Sequence, residues 1–226
     1  MATRKALIAW SSGKDSAWAL HEVRRDGHFE IVGALTTVTE TFSRVSMHGV
    51  REELLRRQLA AAALDPVIVR IPNSCPNEIY EAKMASAMQD AKAAGVTHVI
   101  FGDLFLEEIR AYRAQLAKAG MAAIFPLWQR PTKALALEMI ESGLRAHLVS
   151  IDLKKLPLDF AGRVFDGALI EELPLGADPC GENGEFHTFV SAGPMLAGEI
   201  ELRIGGTTEQ DGFAYADLLP ANSGAQ

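Results

Sequence analysis

The sequence predicts an α/β fold in which a parallel sheet is covered by helices on both faces and is followed by a smaller C-terminal α+β domain. Apolar segments of strand length alternate with amphipathic segments of helix length as far as about residue 150, a pattern typical of parallel strands joined by helical crossovers. The strands are apolar on both faces, as burial between two helical layers requires. After Asp152 the alternation stops. We therefore predict a first domain at residues 1–150 and a second at residues 151–226.

Each element follows from a local pattern. Short apolar runs predict strands at residues 5–10, 30–38, 66–72, 97–103, 122–128 and 146–152. Helical periodicity, with glycines at several of the ends, predicts helices at residues 15–26, 49–63, 77–94, 107–119 and 132–143. Residues 153–175 are expected to hold two short helices, followed by a dense loop and by strand-like pieces at 198–204 and 213–219.

Composition limits the function classes. Hydrophobic residues make up 48% of the 226 residues and the formal net charge is -7, so the chain can bury a sizeable core and is unlike a non-specific nucleic-acid binder. Cys75 and Cys180 are far apart and form neither a disulfide framework nor a zinc motif. No run reaches the length of a membrane span and no signal peptide is recognised, so we expect a cytoplasmic protein.

The stretch "LIAWSSGKDSAWAL", residues 7–20, joins the first strand to the first helix. It is not a Walker A loop, because Ile8 stands where that motif has its first glycine and Asp15 follows Lys14 where a hydroxyl is required. Anion binding is still predicted: Gly13 permits close backbone approach, the helix begins here with its free N–H groups, and Lys14 adds positive charge. The hydroxyls of Ser11 and Ser16 add donors.

The loop "SSGKDS" resembles the pyrophosphate-binding loop, Ser-Gly-Gly-x-Asp-Ser, of the N-type ATP pyrophosphatases, except that Ser12 replaces the first glycine. In that family the loop holds the two distal phosphates of ATP while an acceptor oxygen is adenylated. The resemblance implies a Rossmann-like fold of the adenine nucleotide alpha-hydrolase-like (HUP) type. The Ser12 replacement is expected to alter the backbone path of the loop.

Other candidate residues follow later strands. His48, in "SRVSMHGV", either lines the adenosine pocket or is a solvated histidine, and spacing favours neither. Gly102 and Asp103 end the fourth strand, where open α/β sheets bind ligands, so Asp103 is a candidate to hold magnesium or orient the acceptor. Arg110 and Arg113 on the next helix are either phosphate contacts or surface residues.

The segment "GADPCGENGEFHT", residues 176–188, places Asp178, Glu182, Glu185 and His187 among glycines. Carboxylates this dense beside nucleotide phosphates are explained by magnesium or by a cationic substrate. Cys180 lies in the same segment and has only His187 near it in sequence as a base, so we interpret it as a packing residue.

Taken with the first loop, this segment resembles the diphthine–ammonia ligase family over nearly the full chain. The resemblance implies ATP and Mg²⁺ as cofactors and a reaction in which a carboxylate is adenylated, pyrophosphate leaves and ammonia displaces AMP. The acceptor is diphthine on elongation factor two if the source is archaeal or eukaryotic. The catalytic residues implied are Asp103, Glu182, Glu185 and His187, with Asp103 also the metal ligand. The implied ATP-binding residues are Ser11, Ser12, Gly13, Lys14, Asp15, Ser16, His48 and Gly102.

Two alternatives stay open at this point. One is a tRNA-modifying enzyme with the same fold, which the acidic charge and the lack of a cysteine pair disfavour. The other is a non-catalytic ATP-binding protein, which would not need the acidic segment. A homodimer is compatible with the sequence, and neither a membrane nor a nucleic acid is expected as a partner.

Overall fold

A computed structural model describes residues 4–105 and 120–221. The first sheet has the strands β1 (Arg4–Ala9), β2 (Phe29–Thr39), β3 (Arg44–Val45), β4 (Pro66–Ile71), β5 (His98–Ile100) and β6 (Ala122–Ile124). Strands β4, β2, β1, β5 and β6 lie side by side in that order and all pair in parallel, and the two-residue β3 pairs antiparallel with the end of β2. The predicted α/β class and its parallel sheet are confirmed.

The helices around this sheet are α1 (Lys14–Asp26), α2 (Glu52–Ala61), α3 (Asn77–Ala93) and α4 (Thr132–Glu141). Helix α1 ends where predicted, because Gly27 adopts the left-handed conformation (φ 69°) and its N–H bonds to the carbonyl of Val23. Helix α2 buries Leu54, Leu55 and Leu59 on one stripe. The helix predicted at 107–119 lies outside the described residues.

The second sheet is antiparallel and contains β7 (Arg145–Asp152), β8 (Phe186–Ala192), β9 (Leu202–Gln210) and β10 (Phe213–Pro220), in the order β8–β7–β10–β9. Between β7 and β8 lie a short 3-10 helix, Leu158–Phe160, and helix α5 (Gly167–Glu172), matching the two short helices predicted there. Asp166 caps α5 by accepting a hydrogen bond from the N–H of Leu169 at 2.8 Å.

Strand β7 corrects one expectation. It was predicted at 146–152 as a continuation of the first sheet, but it pairs antiparallel with β8 and β10. Its apolar run predicts a strand correctly, whereas the partners of a strand are decided by segments far away in the chain. The domain boundary at residue 150 falls inside this strand and stays a prediction.

The two sheets are joined by a shared core and by a charged contact. The larger apolar cluster contains Ile8 of β1 and Leu20 of α1 from the first part of the chain, together with Phe189 of β8 and Leu218 of β10 from the second. Near β3, Arg51 donates two hydrogen bonds to the carboxylate of Asp217 on β10, and Arg44 donates a third. Within the described ranges, no helix is long and apolar enough to cross a membrane.

Candidate active site

The candidate site lies where the sheet order reverses. From β1 the chain builds β2 and β4 on one side and β5 and β6 on the other, so the carboxyl ends of β1 and β5 border a crevice, the usual ligand site of open α/β sheets. The loop after β1 carries "SSGKDS" and the loop after β5 carries Gly102 and Asp103. A Cβ added at Gly102 would lie 2.6 Å from the backbone carbon of Asp15. Glycine is therefore required for these two loops to meet.

Ser12 has the backbone conformation of a glycine. Its φ of 71° is left-handed, a conformation that costs a non-glycine residue about 1–2 kcal/mol. The residue is fully buried, and its carbonyl accepts hydrogen bonds from the N–H of Val190 and from Nε2 of Gln58, both at 3.0 Å. Its hydroxyl has no hydrogen-bond partner among the described residues. Ser12 therefore adopts, at an energetic cost, a conformation that glycine adopts freely, and the expected change of backbone path relative to the family's loop stays a prediction.

Lys14 joins the two predicted loops directly. Its Nζ lies 2.9 Å from both carboxylate oxygens of Asp15 and also donates to the carbonyl of Cys180 in the acidic segment. The backbone N–H of Lys14 donates to Oγ1 of Thr188 on β8 at 3.0 Å, which caps helix α1 from the other sheet. Burial lowers the pKa of Lys14, but the charges of Asp15, Cys180 and Glu182 more than offset this and raise it above its ordinary value. The ammonium group is therefore buried and charged between the loops.

The carboxylates of the acidic segment have separate tasks. Glu185 is buried and accepts hydrogen bonds from the N–H of Asp178 (2.9 Å) and from the N–H and Nδ2 of Asn183 (3.0 and 3.1 Å). Asp178 accepts from the N–H groups of Cys180 and Glu182. Through these hydrogen bonds Asp178 and Glu185 stabilise the conformation of the segment. A catalytic role of Glu185 stays a prediction.

Glu182 differs from them because its side chain makes no hydrogen bond within the described part of the chain. Burial raises its pKa from 4.5 to about 8, and the carboxylates of Asp15, Asp178 and Asp103 act in the same direction against Lys14. A carboxyl group with this pKa exchanges protons near neutral pH, which suits acid–base chemistry.

The rings of His48 and His187 pack against each other, with centroids 4.5 Å apart and planes tilted by 32°. Nδ1 of His48 lies 3.1 Å from the carbonyl of Thr188, so this nitrogen carries the proton and Nε2 is the acceptor. Burial, with the nearby charge of Lys14, lowers the pKa of His187 to about 4. Burial and the neighbouring His187 also lower the pKa of His48 well below 6.5. Both rings are neutral at physiological pH.

A comparison with protein families finds a match in the C-terminal part of the chain. Residues 131–215 match the family model described as the diphthamide synthase C-terminal domain. This match supports the resemblance of the C-terminal part of the chain to a diphthine–ammonia ligase-like family. The match begins at α4 and covers β7 to most of β10, so it includes Glu182, Glu185 and His187. No curated protein matches the chain.

The structure brings together the predicted residues Ser11 to Ser16, His48, Gly102, Glu182 and His187. Asp103 is close enough to raise the pKa values of Asp15 and Glu182. Among the described residues, no group of three or more histidine, cysteine or acidic side chains is arranged to hold a metal ion, so the assignment of metal to Asp103 stays a prediction. Arg110 and Arg113 lie outside the described residues.

Cys180 has the environment of a packing residue. It is buried, and its Sγ donates to the carbonyl of Thr132 at 3.3 Å. Burial raises the pKa of its thiol to about 12, despite the nearby Lys14, so the thiolate is not formed near neutral pH. This environment fits the interpretation made from the sequence.

Two residues of the site were missed. Gln58 holds Ser12 from helix α2, and Thr188 contacts both Lys14 and His48 from β8. The sequence does contain a pattern that indicates Gln58. It lies on the same face of α2 as Leu54, Leu55 and Leu59, and a polar side chain on a buried face needs hydrogen-bond partners. Strand β8 begins inside the acidic segment, whose glycines and charges led us to predict a loop.

Proposed function

We propose that this protein is an ATP-dependent, amide-forming ligase that adenylates a carboxylate, releases pyrophosphate and lets ammonia displace AMP. The observation that carries the proposal is the direct contact between the loop after β1 and the acidic segment, made through Lys14 and Thr188. The family match supports a ligase-type function connected broadly with diphthamide biosynthesis.

The first loop supplies the groups that an anionic leaving group needs. Helix α1 begins at Lys14, so its positive end and its first N–H groups lie at the loop, and the hydroxyls of Ser11 and Ser16 lie 3.3 Å from each other beside it. MgATP is the substrate here. Asp15 and Asp103 are carboxylates of the type that binds Mg²⁺ carried by phosphates, which needs only one or two protein ligands.

The neutral histidines and Glu182 supply acceptors for protons. Ammonia that attacks an acyl adenylate must lose a proton, and Nε2 of His48 is an unprotonated acceptor next to the loop. Glu182, with its pKa of about 8, can take up the same proton and return it to solvent. We assign His48 and Glu182 to this step, with His187 packed against His48 to hold its ring.

The acceptor is proposed at the level of its chemistry, a carboxylate. It is diphthine on elongation factor two if the source is archaeal or eukaryotic, and another carboxylate otherwise. The decisive experiment incubates the protein with MgATP, an ammonium salt and a panel of carboxylates, and identifies the products by mass spectrometry. We expect AMP, pyrophosphate and an amide in equal amounts. ADP and inorganic phosphate would instead place the protein among kinases or ATPases and refute the proposal.

A further inference from the structure

Gln58 is a buried amide that contacts three segments at once. It lies on α2, is fully buried, and its Nε2 donates to the carbonyl of Ser12 at 3.0 Å and to the carbonyl of Val190 at 2.7 Å. Its Oε1 accepts a hydrogen bond from Nε1 of Trp10 at 2.7 Å. Both donors of the amide are therefore used, on the loop after β1 and on strand β8.

The orientation of this amide has no alternative. The indole Nε1 of Trp10 can only donate, so the oxygen of Gln58 must face it. The nitrogen then faces two carbonyl groups, which can only accept. A flipped amide would place oxygen against oxygen twice and nitrogen against an N–H, so Trp10 fixes the direction from which Gln58 holds Ser12.

Holding the carbonyl of Ser12 also sets the direction of the next N–H. In a trans peptide the C=O of Ser12 and the N–H of Gly13 point in opposite directions. The carbonyl is drawn inward by Gln58 and Val190, and the N–H of Gly13 points toward Oγ of Ser11, 3.4 Å away at the half-buried mouth of the loop. Ser12 is left-handed (φ 71°) and is not a glycine, so its backbone conformation is strained. A flip of the Ser12–Gly13 peptide would relieve this strain if Gln58 no longer bound the carbonyl of Ser12.

We propose that Gln58 is a positioning residue for nucleotide binding: it holds the Ser12–Gly13 peptide so that the N–H of Gly13 faces a bound phosphate. The inference rests on the proposed function, since it takes the loop after β1 as the phosphate site. Gln58 itself does not contact the nucleotide, because its two N–H donors and its oxygen already form hydrogen bonds within the protein.

The test is a double-mutant cycle read out as MgATP affinity by calorimetry, on wild type, Gln58→Met, Ser12→Gly and the double variant. We expect Gln58→Met to weaken MgATP binding at least roughly 10-fold when Ser12 is present. In the Ser12→Gly background the left-handed conformation is free of strain, so the same change is expected to cost at most about threefold. A merely structural role predicts equal fold-changes in both backgrounds.

The outcomes separate this inference from the proposed function. Wild-type protein that fails to bind MgATP would refute both. Binding by wild type, with equal losses in the two backgrounds, would overturn the role of Gln58 alone. If Gln58→Met does not fold, Gln58→Glu replaces it in the cycle, because it keeps the shape and can donate one hydrogen bond only when protonated. Its affinity loss should then be larger at about pH 8.5 than at about pH 6, and a loss that does not change with pH would also overturn the inference.

Discussion

Replacing Lys14 with methionine tests whether its ammonium group holds the two loops together. The change keeps most of the length and apolar volume of the side chain and removes only the charge. In the structure that charge contacts both oxygens of Asp15 at 2.9 Å and the carbonyl of Cys180. The variant leaves these acceptors without their donor in a region where Lys14 is only 2% exposed.

The size of the loss follows from these contacts. Removing one partner of a buried ion pair costs about 3–5 kcal/mol, because the other charge stays buried and unpaired. The ammonium also lies 5.6 Å from the ring centroid of Phe186 and 5.8 Å from that of Phe165, a smaller contribution. The Asp15 side chain is 29% exposed, which favours the lower end of the range. We expect a loss of about 3 kcal/mol, equivalent to roughly 6–12 °C in Tm for a chain of this size.

The assay is urea and thermal unfolding of Lys14→Met, Asp15→Asn and the double variant near pH 7. The double variant should lose less than the sum of the single losses, by about 2 kcal/mol, because it leaves no uncompensated charge. Lys83→Met is the matched control, since Lys83 pairs with Glu40 at 3.5 Å with both side chains well exposed, and should cost under about 1 kcal/mol.

The pH dependence gives an independent check. Burial raises the pKa of Asp15 even with Lys14 beside it, so without Lys14 the carboxyl group should protonate at still higher pH. The penalty of Lys14→Met should therefore shrink as the pH falls. A loss under about 1 kcal/mol, or additive single losses, would show that the ammonium group is not held between the loops and would refute the reasoning.

Two further predictions concern other carboxylates, those of the acidic segment and that of Asp217 on β10. Glu182→Gln should lower amide formation at least roughly 100-fold. In the wild type, the free energy of unfolding should fall between about pH 4.5 and 8, because a carboxyl group with a raised pKa opposes folding once it ionises. Glu182→Gln should remove this fall, and a wild-type stability that is flat over this range would contradict the prediction. Glu185→Gln, its matched partner, should instead destabilise the fold by about 1–3 kcal/mol by turning an acceptor into a donor that faces N–H groups. Asp217→Asn should cost about 1–2 kcal/mol near pH 7, against under about 0.5 for Glu53→Gln in the exposed pair with Arg57. Burial raises the pKa of Asp217, but Arg51 and Arg44 lower it by more, so the net pKa is below the ordinary value of 3.8. The stability that Asp217 contributes is therefore present above about pH 3.8 and is lost as the pH falls below that value. A cost of Asp217→Asn that persists in acid would rule this out.

The sequence predicts the positions of helices and strands well, but it predicts poorly which strands pair with each other. Strands β1, β2, β4 and β5 were placed by apolar runs, and these alternate with helices that begin and end close to the predicted residues. Strand β7 was also placed as a strand but in the wrong sheet, because an apolar run fits any buried position. Strand β8 was missed since three glycines and two glutamates precede it, although "FHTFV" itself has the aromatic and β-branched residues of a strand.

The same limit applies to the site. The two loops were predicted from their own composition, whereas Gln58 and Thr188 act across 46 and 174 positions of the chain, on Ser12 and on Lys14. No local pattern reports such a contact. The most that the sequence offers is a polar residue on an otherwise apolar stripe, which predicts that Gln58 has partners but not which ones.

The acidic segment shows why residue type alone did not separate catalytic from structural carboxylates. Glu182 and Glu185 lie three positions apart, are both acidic and both follow a glycine. Glu185 accepts three N–H donors from its own segment, so its charge is used to shape a glycine-rich turn that would otherwise leave buried donors unpaired. Glu182 has no such donors in the described structure, and its carboxyl group adjoins Asp15 and Lys14 of the other loop. A carboxylate without local donors retains the capacity to bind something else, which is why we assign the proton-transfer chemistry to Glu182 and not to Glu185.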